Sequence, residues 1–322
     1  MGEKTDNAVC KPLPSTATVG VCLPARNAEL LLHKCLGPML RSSLKPRILV
    51  IDSSSTDRTV EVAKSLGVET VTIPQREFNH GSTRELGRKL LGTDIVVMIT
   101  HDAIAQSDST LEILVKPIME GRAVAAYGRQ LPREGADIFE AFPQEFNYPA
   151  ESQFRTFEDR HKYGIFTFFF SDNLGAYLNS AVEAIGGFQP VLTNEDYFAA
   201  AKLMQAGGTV AYVAEAVIRH SHDFSLLQQF RRYFDTGYVR AEQPWVSQLV
   251  GAAEGRGLGL TMKLFRRLFR EQPWMLPYAF LQTAVKWAGY RSGFIFFKAP
   301  LGWKRNLSAQ RYYWDSVHAP AR

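Results

Sequence analysis

"DIVVMITHD", residues 94–102, sets five apolar side chains in a row from Ile95 to Ile99 and then ends in Thr100, His101 and Asp102. An uninterrupted apolar run of this length suits a parallel strand covered on both faces, where strict alternation would suit a strand with one wet face. The polar residues then fall at the carboxyl end of the strand. In open α/β sheets that edge is where ligands bind. Asp102 is therefore a candidate for chemistry, and so is the crevice it would overlook.

The flanking sequence repeats a strand-turn-helix unit. "TVGVCL" (18–23) is a β-rich run closed by Pro24, and the stretch after it places Leu31, Leu32, Cys35, Leu36 and Leu40 at helical spacing. "RILVID" (47–52) and "VETVTI" (68–73) are further strands. Each is followed by a Ser- or Thr-capped helix, ending at Gly67 and Gly92 respectively. This alternation predicts an α/β fold with a mostly parallel, Rossmann-like sheet flanked by helices. Three polar clusters converge on one edge of it: Pro24-Ala25-Arg26-Asn27, Asp52-Ser53-Ser54 and Thr100-His101-Asp102. No GxGxxG follows the first strand and no GxxxxGK[ST] occurs, which counts against dehydrogenase and P-loop chemistry.

Beyond a helix near 109–120 and a strand over 123–128, residues 129–165 show no clear period and read as a functional loop or lid. Ser171, Asp172 and Asn173 follow an apolar run. "TNEDYFAAAKLMQAGG" begins with a cap-like Thr193 or Asn194, carries Glu195 and Asp196 in its first helical turn, and stops at Gly207-Gly208. A last strand delivers His220 and His222 at period two, on one face.

The 322 residues, 46% hydrophobic, suffice for a full core. Three cysteines (Cys10, Cys22, Cys35) have no metal-like spacing, Cys22 sits in an apolar run, and a reducing compartment fits. The start of the chain has no signal-peptide pattern and reads as a flexible lead over 1–16. Residues 224–322 carry 15 Lys and Arg against 5 Asp and Glu, whereas residues 1–223 are net −5. A basic, aromatic tail suits nucleic acid or an anionic membrane surface. No nucleic-acid-binding motif accompanies it, so nucleic acid is not the expected partner. In "TMKLFRRLFR" (261–270), Leu264, Phe265, Leu268 and Phe269 share one helical face, with Lys263, Arg266, Arg267 and Arg270 on another. Such a helix fits a membrane interface and equally a packed helix with a solvated basic face. Lys286 and Arg291 interrupt the apolar stretch 277–297, which excludes a spanning helix and leaves peripheral attachment or an oligomer contact.

The candidate residues each have a plain reading beside a chemical one. Asp52 suits a turn cap and also a carboxylate that accepts an N–H from a nucleobase. Asp102 ends a strand and also suits a hard divalent cation on a diphosphate, with His220 or His222 adding a nitrogen ligand that tolerates manganese. Glu195 and Asp196 favour a helix N-terminus, and either can take a proton from an attacking hydroxyl. In "QREFNHGSTRELG" (75–87), Ser82 is a cap, while Asn79, His80 and Arg84 add donors suited to a diphosphate or sugar.

Taken in order, "CLPARNAE", "VIDSSSTDRT", "ITHDAIA", "GGFQPVLTNEDYFAAAKLMQAGG" and "RHSHDFSLLQQFRRYFDTG" resemble the family 2 glycosyltransferases, from about Thr18 to Tyr238. The resemblance implies the nucleotide-sugar-binding GT-A fold over 17–223, with a nucleotide-sugar half to about 128 and an acceptor half after it, and a helical extension over 224–322. It implies that Pro24, Arg26, Asn27 and Asp52 line the base and ribose pocket, and the expected nucleotide-sugar site further takes in Ala25, Glu29, Ser54, Asn79, His80, Gly81, Arg84 and His101. Acceptor binding falls to Asp172, Asn173 and Arg232. Asp102 matches the retained carboxylate of the family's Asp-x-Asp motif, a Mg2+ or Mn2+ ligand together with His220 and His222. Asp196, with Glu195, matches the inverting base. Thr100 stands where the first carboxylate of that motif is expected, and Tyr233 stands for the Trp of the Gln-x-x-Arg-Trp motif of processive synthases. Transfer of one or a few sugars is the expectation, by an enzyme in the cytoplasm or on the inner face of its membrane. "REFNHGSTRELG", "THDAIA" and "KRNLSAQRYYWDS" further resemble bacterial rhamnosyltransferases of surface-polysaccharide assembly. That implies dTDP-L-rhamnose as donor and a lipid-linked or glycolipid saccharide as acceptor. A nucleotidyltransferase on a similar sheet, and a non-catalytic saccharide-binding module, are the competing readings.

Overall fold

The computed structural model describes residues 11–250 and 254–320. Of the expected lead, residues 1–10, with Cys10, lie outside the described residues; the rest of it is docked, with the Leu13 N–H bonded to the Met119 carbonyl at 2.9 Å. The first half has the predicted alternation: β1 (Val19–Ala25), α1 (Leu32–Arg41), β2 (Arg47–Asp52), α2 (Thr59–Ser65), β3 (Glu69–Thr72), α3 (His80–Leu91) and β4 (Ile95–Ile99). β1 runs one residue past Pro24. Its pairing with β4 stops at Cys22, so the proline sits where the strand has lost that neighbour and tolerates a missing N–H.

After β4 come β5 (Ile104–Ala105), α4 (Thr110–Met119), β6 (Ala125–Leu131), α5 (Ile138–Asn147), β7 (Gln153–Arg155), α6 (Arg160–Tyr163), β8 (Leu174–Leu178), α7 (Asn179–Ala184), α8 (Glu195–Gln205) and β9 (Val210–Arg219). The strand order is β3-β2-β1-β4-β8-β6-β9-β5, with β7 against β9. β4 is thus central. Val96 and Met98 join one apolar layer while Ile95, Val97 and Ile99 join the other, which is why no position in the run is polar.

Two expectations need correction. The sheet is parallel from β3 to β4 and again between β6 and β9, but β8 runs antiparallel to both β4 and β6, so the sheet as a whole is mixed. Residues 129–165 are not an irregular loop either: α5 starts at Asp137, whose carboxylate accepts the Glu140 N–H at 2.9 Å, and β7 adds an edge strand. Pro143 inside α5 disguises it in the sequence.

Past β9 the described chain is helical: α9 (Leu226–Glu242), α10 (Trp245–Val250), α11 (Glu254–Glu271), α12 (Leu276–Ile295), α13 (Leu301–Leu307) and α14 (Arg311–Trp314). α9 and α12 pack closely, because a Cβ at Gly289 or Gly293 would run into the backbone of Phe230 or Tyr238. Leu264 and Leu268 of α11 are buried against Phe139 and Ala279, so of the two readings of this face the leucines follow the packed helix. No helix among the described residues is long and apolar enough to cross a membrane.

Candidate functional site

The carboxyl ends of β1, β2 and β4 open onto a crevice of about 390 Å3. Pro24, Ala25, Arg26, His80, Arg84, His101, Asp102, Asn173, His220, His222 and Arg232 line it, as expected from sequence. Because β8 is antiparallel to β4, with Ile99 opposite Leu174, the residues just before β8 lie beside those just after β4. That geometry brings Asp172 and Asn173 to Thr100, whose Oγ1 is 3.4 Å from the Asn173 Oδ1.

One centre gathers around Asp102. Its two carboxylate oxygens lie 3.4 Å from His220 Nε2 and 3.3 Å from His222 Nε2, and the three ligand atoms fall within 4.8 Å of one another. His220 Nδ1 sits 3.1 Å from Gln130 Oε1 and 3.0 Å from Asn173 Nδ2. The Nδ1 contact with Gln130 turns His220 Nε2 toward the Asp102 carboxylate, where it would bind a cation as a neutral ring or, with none held, donates to the carboxylate. One hard oxygen donor and two imidazoles form a donor set that fits Mn2+ or a similar divalent ion. Burial works against ionising Asp102, but the hydrogen bond from His220 and the nearby His220, His101 and His222 outweigh it and hold the carboxyl well below its usual range. Between the two imidazoles, Ser221 is pinned: its hydroxyl donates to Glu140 of α5 at 2.5 Å and accepts the Arg133 N–H at 2.8 Å. The segment whose sequence suggests a loop is therefore what fixes the histidine pair.

The second centre is buried behind Asn173. Arg84 of α3 is ion-paired with both Asp172 and Glu195, and all three are nearly inaccessible. Asp196 accepts the backbone N–H of Asp172 at 3.2 Å and that of Tyr197 at 2.7 Å, and Tyr177 donates to Asp172 at 2.6 Å. Two carboxylates thus share one guanidinium, and Asp196 lies close enough to feel its charge. Burial, opposed by Arg84 and reinforced by Asp196, pushes Asp172 up to about 7; Asp196 is raised as well, again by burial. A carboxylate in that state is poised to hold a proton near neutrality.

Several expected residues do not reach the crevice. Asn79 caps α3, accepting the Ser82 N–H at 3.1 Å and donating to the Val191 carbonyl at 2.7 Å, so both ends of its amide are used in the fold. Gly81 is needed for packing, since a Cβ there would strike the Gln189 carbonyl. Asn27 accepts the Thr56 N–H at 2.9 Å and Glu29 pairs with Arg58 at 2.7 Å, tying the β1–α1 turn to the β2–α2 turn. Asp52 holds its own turn through the Ser55 N–H at 3.1 Å, Ser54 donates to the Ile73 carbonyl, and Ser53 takes the place at the crevice wall. Asp172 and Glu195 stand behind the lining residues, and Asp196 beside them is only half-buried.

Sequence reasoning missed Gln75, Phe78 and Tyr312. The Tyr312 ring packs 5.5 Å from that of Phe78, and its hydroxyl donates to Gln310 at 2.8 Å and lies 3.3 Å from His80 Nε2. Asp235 of α9 holds this segment by accepting the N–H groups of Ala309 and Gln310. Burial, with Arg84 and Arg232 nearby, pushes His80 down to about 3, so its imidazole is neutral at ordinary pH.

With this geometry in hand, the relatives are informative. Residues 20–186 match the family described as Glycosyl transferase family 2. The O-antigen chain rhamnosyltransferase RfbN of Salmonella typhimurium is 35% identical over 303 residues, 93% of this chain and 96% of that protein. WbaN of Salmonella anatum, also described as an O-antigen chain rhamnosyltransferase, is 37% identical over 84% of this chain and 87% of its own length. Among solved structures, the mannosyltransferase PcManGT of Pyrobaculum calidifontis, in complex with GDP-Man and Mn2+, superposes with a TM-score of 0.62 at 15% identity, covering 92% of this chain and 91% of that one. S. aureus TarS 1–349 in complex with UDP gives 0.55 at 13% identity, covering 87% and 91%.

Proposed function

The chain belongs to the family 2 glycosyltransferases and has their GT-A fold, and on that premise we propose that it moves L-rhamnose from dTDP-L-rhamnose to a hydroxyl of a lipid-linked or glycolipid saccharide, with inversion, in bacterial surface-polysaccharide assembly. The observation that carries this reading is the 35% identity with an O-antigen chain rhamnosyltransferase along nearly the whole of both chains.

In this reading the nucleotide lies along the ends of β1 and β2, against Ala25, Arg26 and Ser53, and its diphosphate points toward Asp102. Asp102, His220 and His222 are the residues that would hold a divalent cation, Mg2+ or Mn2+. When bound, that ion supplies Lewis-acid neutralisation of the departing diphosphate. With Thr100 in place of a second carboxylate, the two imidazoles would supply the remaining protein ligands beside Asp102. Asp196 takes the proton of the acceptor hydroxyl as its oxygen bonds to the anomeric carbon from the face opposite the diphosphate. The carbon–oxygen bond to phosphate breaks, and the nucleoside diphosphate leaves. Asp172 and Glu195 are positioning residues, which fix Arg84 and through it the field around Asp196. Arg232, its guanidinium 4.3 Å over the Phe224 ring, stands at the acceptor side. The enzyme works at the inner face of the cytoplasmic membrane as a peripheral protein.

The test is release of nucleoside diphosphate from dTDP-L-rhamnose and from other sugar nucleotides, with Mg2+ or Mn2+ and a lipid-linked saccharide acceptor. Selective, acceptor-dependent turnover of the rhamnose donor is expected. Preference for another donor overturns the sugar assignment, and tight donor binding with no turnover in any metal overturns catalysis.

A further inference from the structure

α12 is apolar on two opposite faces, and the protein uses only one. Ala279, Gln282, Gly289 and Gly293 turn inward, with Gly289 and Gly293 set against α9. On the other side, Phe280, Ala284, Trp287, Arg291 and Ile295 recur at the helical period and are exposed. The Phe265 ring of α11 packs 4.5 Å from that of Phe280 and carries the surface across to α11. Six large side chains, Phe269, Trp274, Phe280, Trp287, Ile295 and Trp303, are each 60–72% exposed on this stretch. A soluble monomer rarely leaves apolar groups of that size clustered without a partner.

The charge around them identifies the partner. Residues 272–314 contain no Asp or Glu, while Arg266, Arg270, Arg291 and Lys298 are exposed among the aromatics. A second copy of this chain, meeting the first through a two-fold contact, would bring these cations against their own equivalents, with Glu271 beside Arg270 already paired with Arg267. An anionic lipid surface meets both demands, because tryptophan favours the headgroup level and each arginine or lysine gains from the negative leaflet.

We infer that the outer face of α11–α12, with Trp274 and Trp303 at its margins, docks the protein on an anionic bilayer. This docking is not the one suggested by residues 261–270 alone, since Leu264 and Leu268 are already buried. The embedded surface is built mainly by α12, which lies one helix layer from Arg232 of α9 at the crevice. The inference deepens the peripheral placement proposed above and rests on it. It does not depend on the sugar transferred or on turnover, and its test contains no sugar nucleotide.

The test is co-sedimentation of the full chain with vesicles of phosphatidylcholine alone and of equal parts phosphatidylcholine and phosphatidylglycerol. Binding to the anionic vesicles is expected, with a blue shift of tryptophan emission, and high salt weakens it. Trp287→Ser with Phe280→Ser abolishes it, and Arg266→Gln, Arg270→Gln and Arg291→Gln each weaken it about fivefold. All five positions are exposed, so the variants keep the wild-type circular dichroism. Three results overturn the inference: no binding of the wild-type chain to anionic vesicles, binding that these substitutions leave unchanged, or a lipid-free dimer in sedimentation equilibrium that the Trp287→Ser, Phe280→Ser pair dissolves.

Discussion

Asp102 and Asp172 are carboxylates at the adjoining ends of two paired strands, and their surroundings drive them in opposite directions. Around Asp102 the neighbours are imidazoles, and the carboxyl stays ionised far into acid. Around Asp172 burial and the neighbouring Asp196 outweigh the Arg84 guanidinium, which Glu195 also claims, and the proton is held to about 7. The first environment suits a permanent cation ligand, and the second keeps a proton acceptor close to neutrality. Residue type is the same in both. The count of opposite charges and the access of water decide the role.

The largest effect should come from the second centre. Asp196→Asn keeps the size of the side chain but removes the proton acceptor, so kcat should fall roughly 10²–10⁴-fold. The donor KM should stay put, since Asp196 is not among the residues that line the donor crevice. Single-turnover rates with saturating donor check this, and near-normal turnover would remove Asp196 as the base.

Asp102→Asn probes the first centre and should cost somewhat less, about 10²–10³-fold in kcat, the usual scale for losing one preorganised charge at a developing anion. Its signature is different. The Mn2+ concentration for half-maximal rate should rise, which a titration after chelation measures and which Asp196→Asn should not alter.

The contrast also predicts a split in pH dependence. The paired carboxylates Asp172 and Asp196 titrate as a unit, with their protons held above the ordinary aspartate range. A base must be deprotonated to act, and the Asp196 proton is held above the ordinary aspartate range, so kcat should fall with decreasing pH well before an ordinary aspartate would take up its proton, approaching tenfold per pH unit. Asp102 stays ionised through that window, and burial with the neighbouring His220 lowers His222, keeping it neutral below its usual range. Metal-dependent nucleotide binding, followed by calorimetry, should therefore persist at pH values where transfer has failed. Loss of both together would erase the distinction between the centres.

These two centres were unequally legible. Asp102 could be read from the chain because an apolar run of period one has to end at the sheet edge, and Thr100, His101 and Asp102 are its immediate chain neighbours. His220 and His222 were equally readable, two residues apart after a strand. That they meet Asp102 depends on β9 lying across β6 and β8 from β4, which no local pattern encodes. The Asp172 centre was harder still. Strand direction leaves no trace in hydrophobic period, so the antiparallel β8 that carries Asp172 and Asn173 to the end of β4 was invisible, and Arg84 looked like a phosphate ligand instead of the cation shared by buried carboxylates. Asn79 and Gly81 were misplaced for the same reason: their partners, Val191 and Gln189, are more than a hundred residues away. The Asp137–Glu140 cap of α5 was within reach, since Asp with Glu three residues later is a helix start signal.

Tyr312 offers the smallest and most discriminating test of the comparison. It reaches the crevice from the far end of the chain and stands with Phe78 and His80, apart from the Arg84 cluster that governs Asp196. Tyr312→Phe keeps the ring against Phe78 and deletes only the hydroxyl that bonds Gln310 and approaches His80. A single such bond contributes about 1 kcal/mol, so the donor KM should rise about fivefold. The kcat and its acidic limb should be unchanged, because the proton acceptor is fixed by α3, β8 and α8 and not by the C-terminal segment. A fall in kcat, or a shifted limb, would mean that the two centres are mechanically joined through His80 and Arg84, and that the wall contributed by Tyr312 tunes the base as well as the donor.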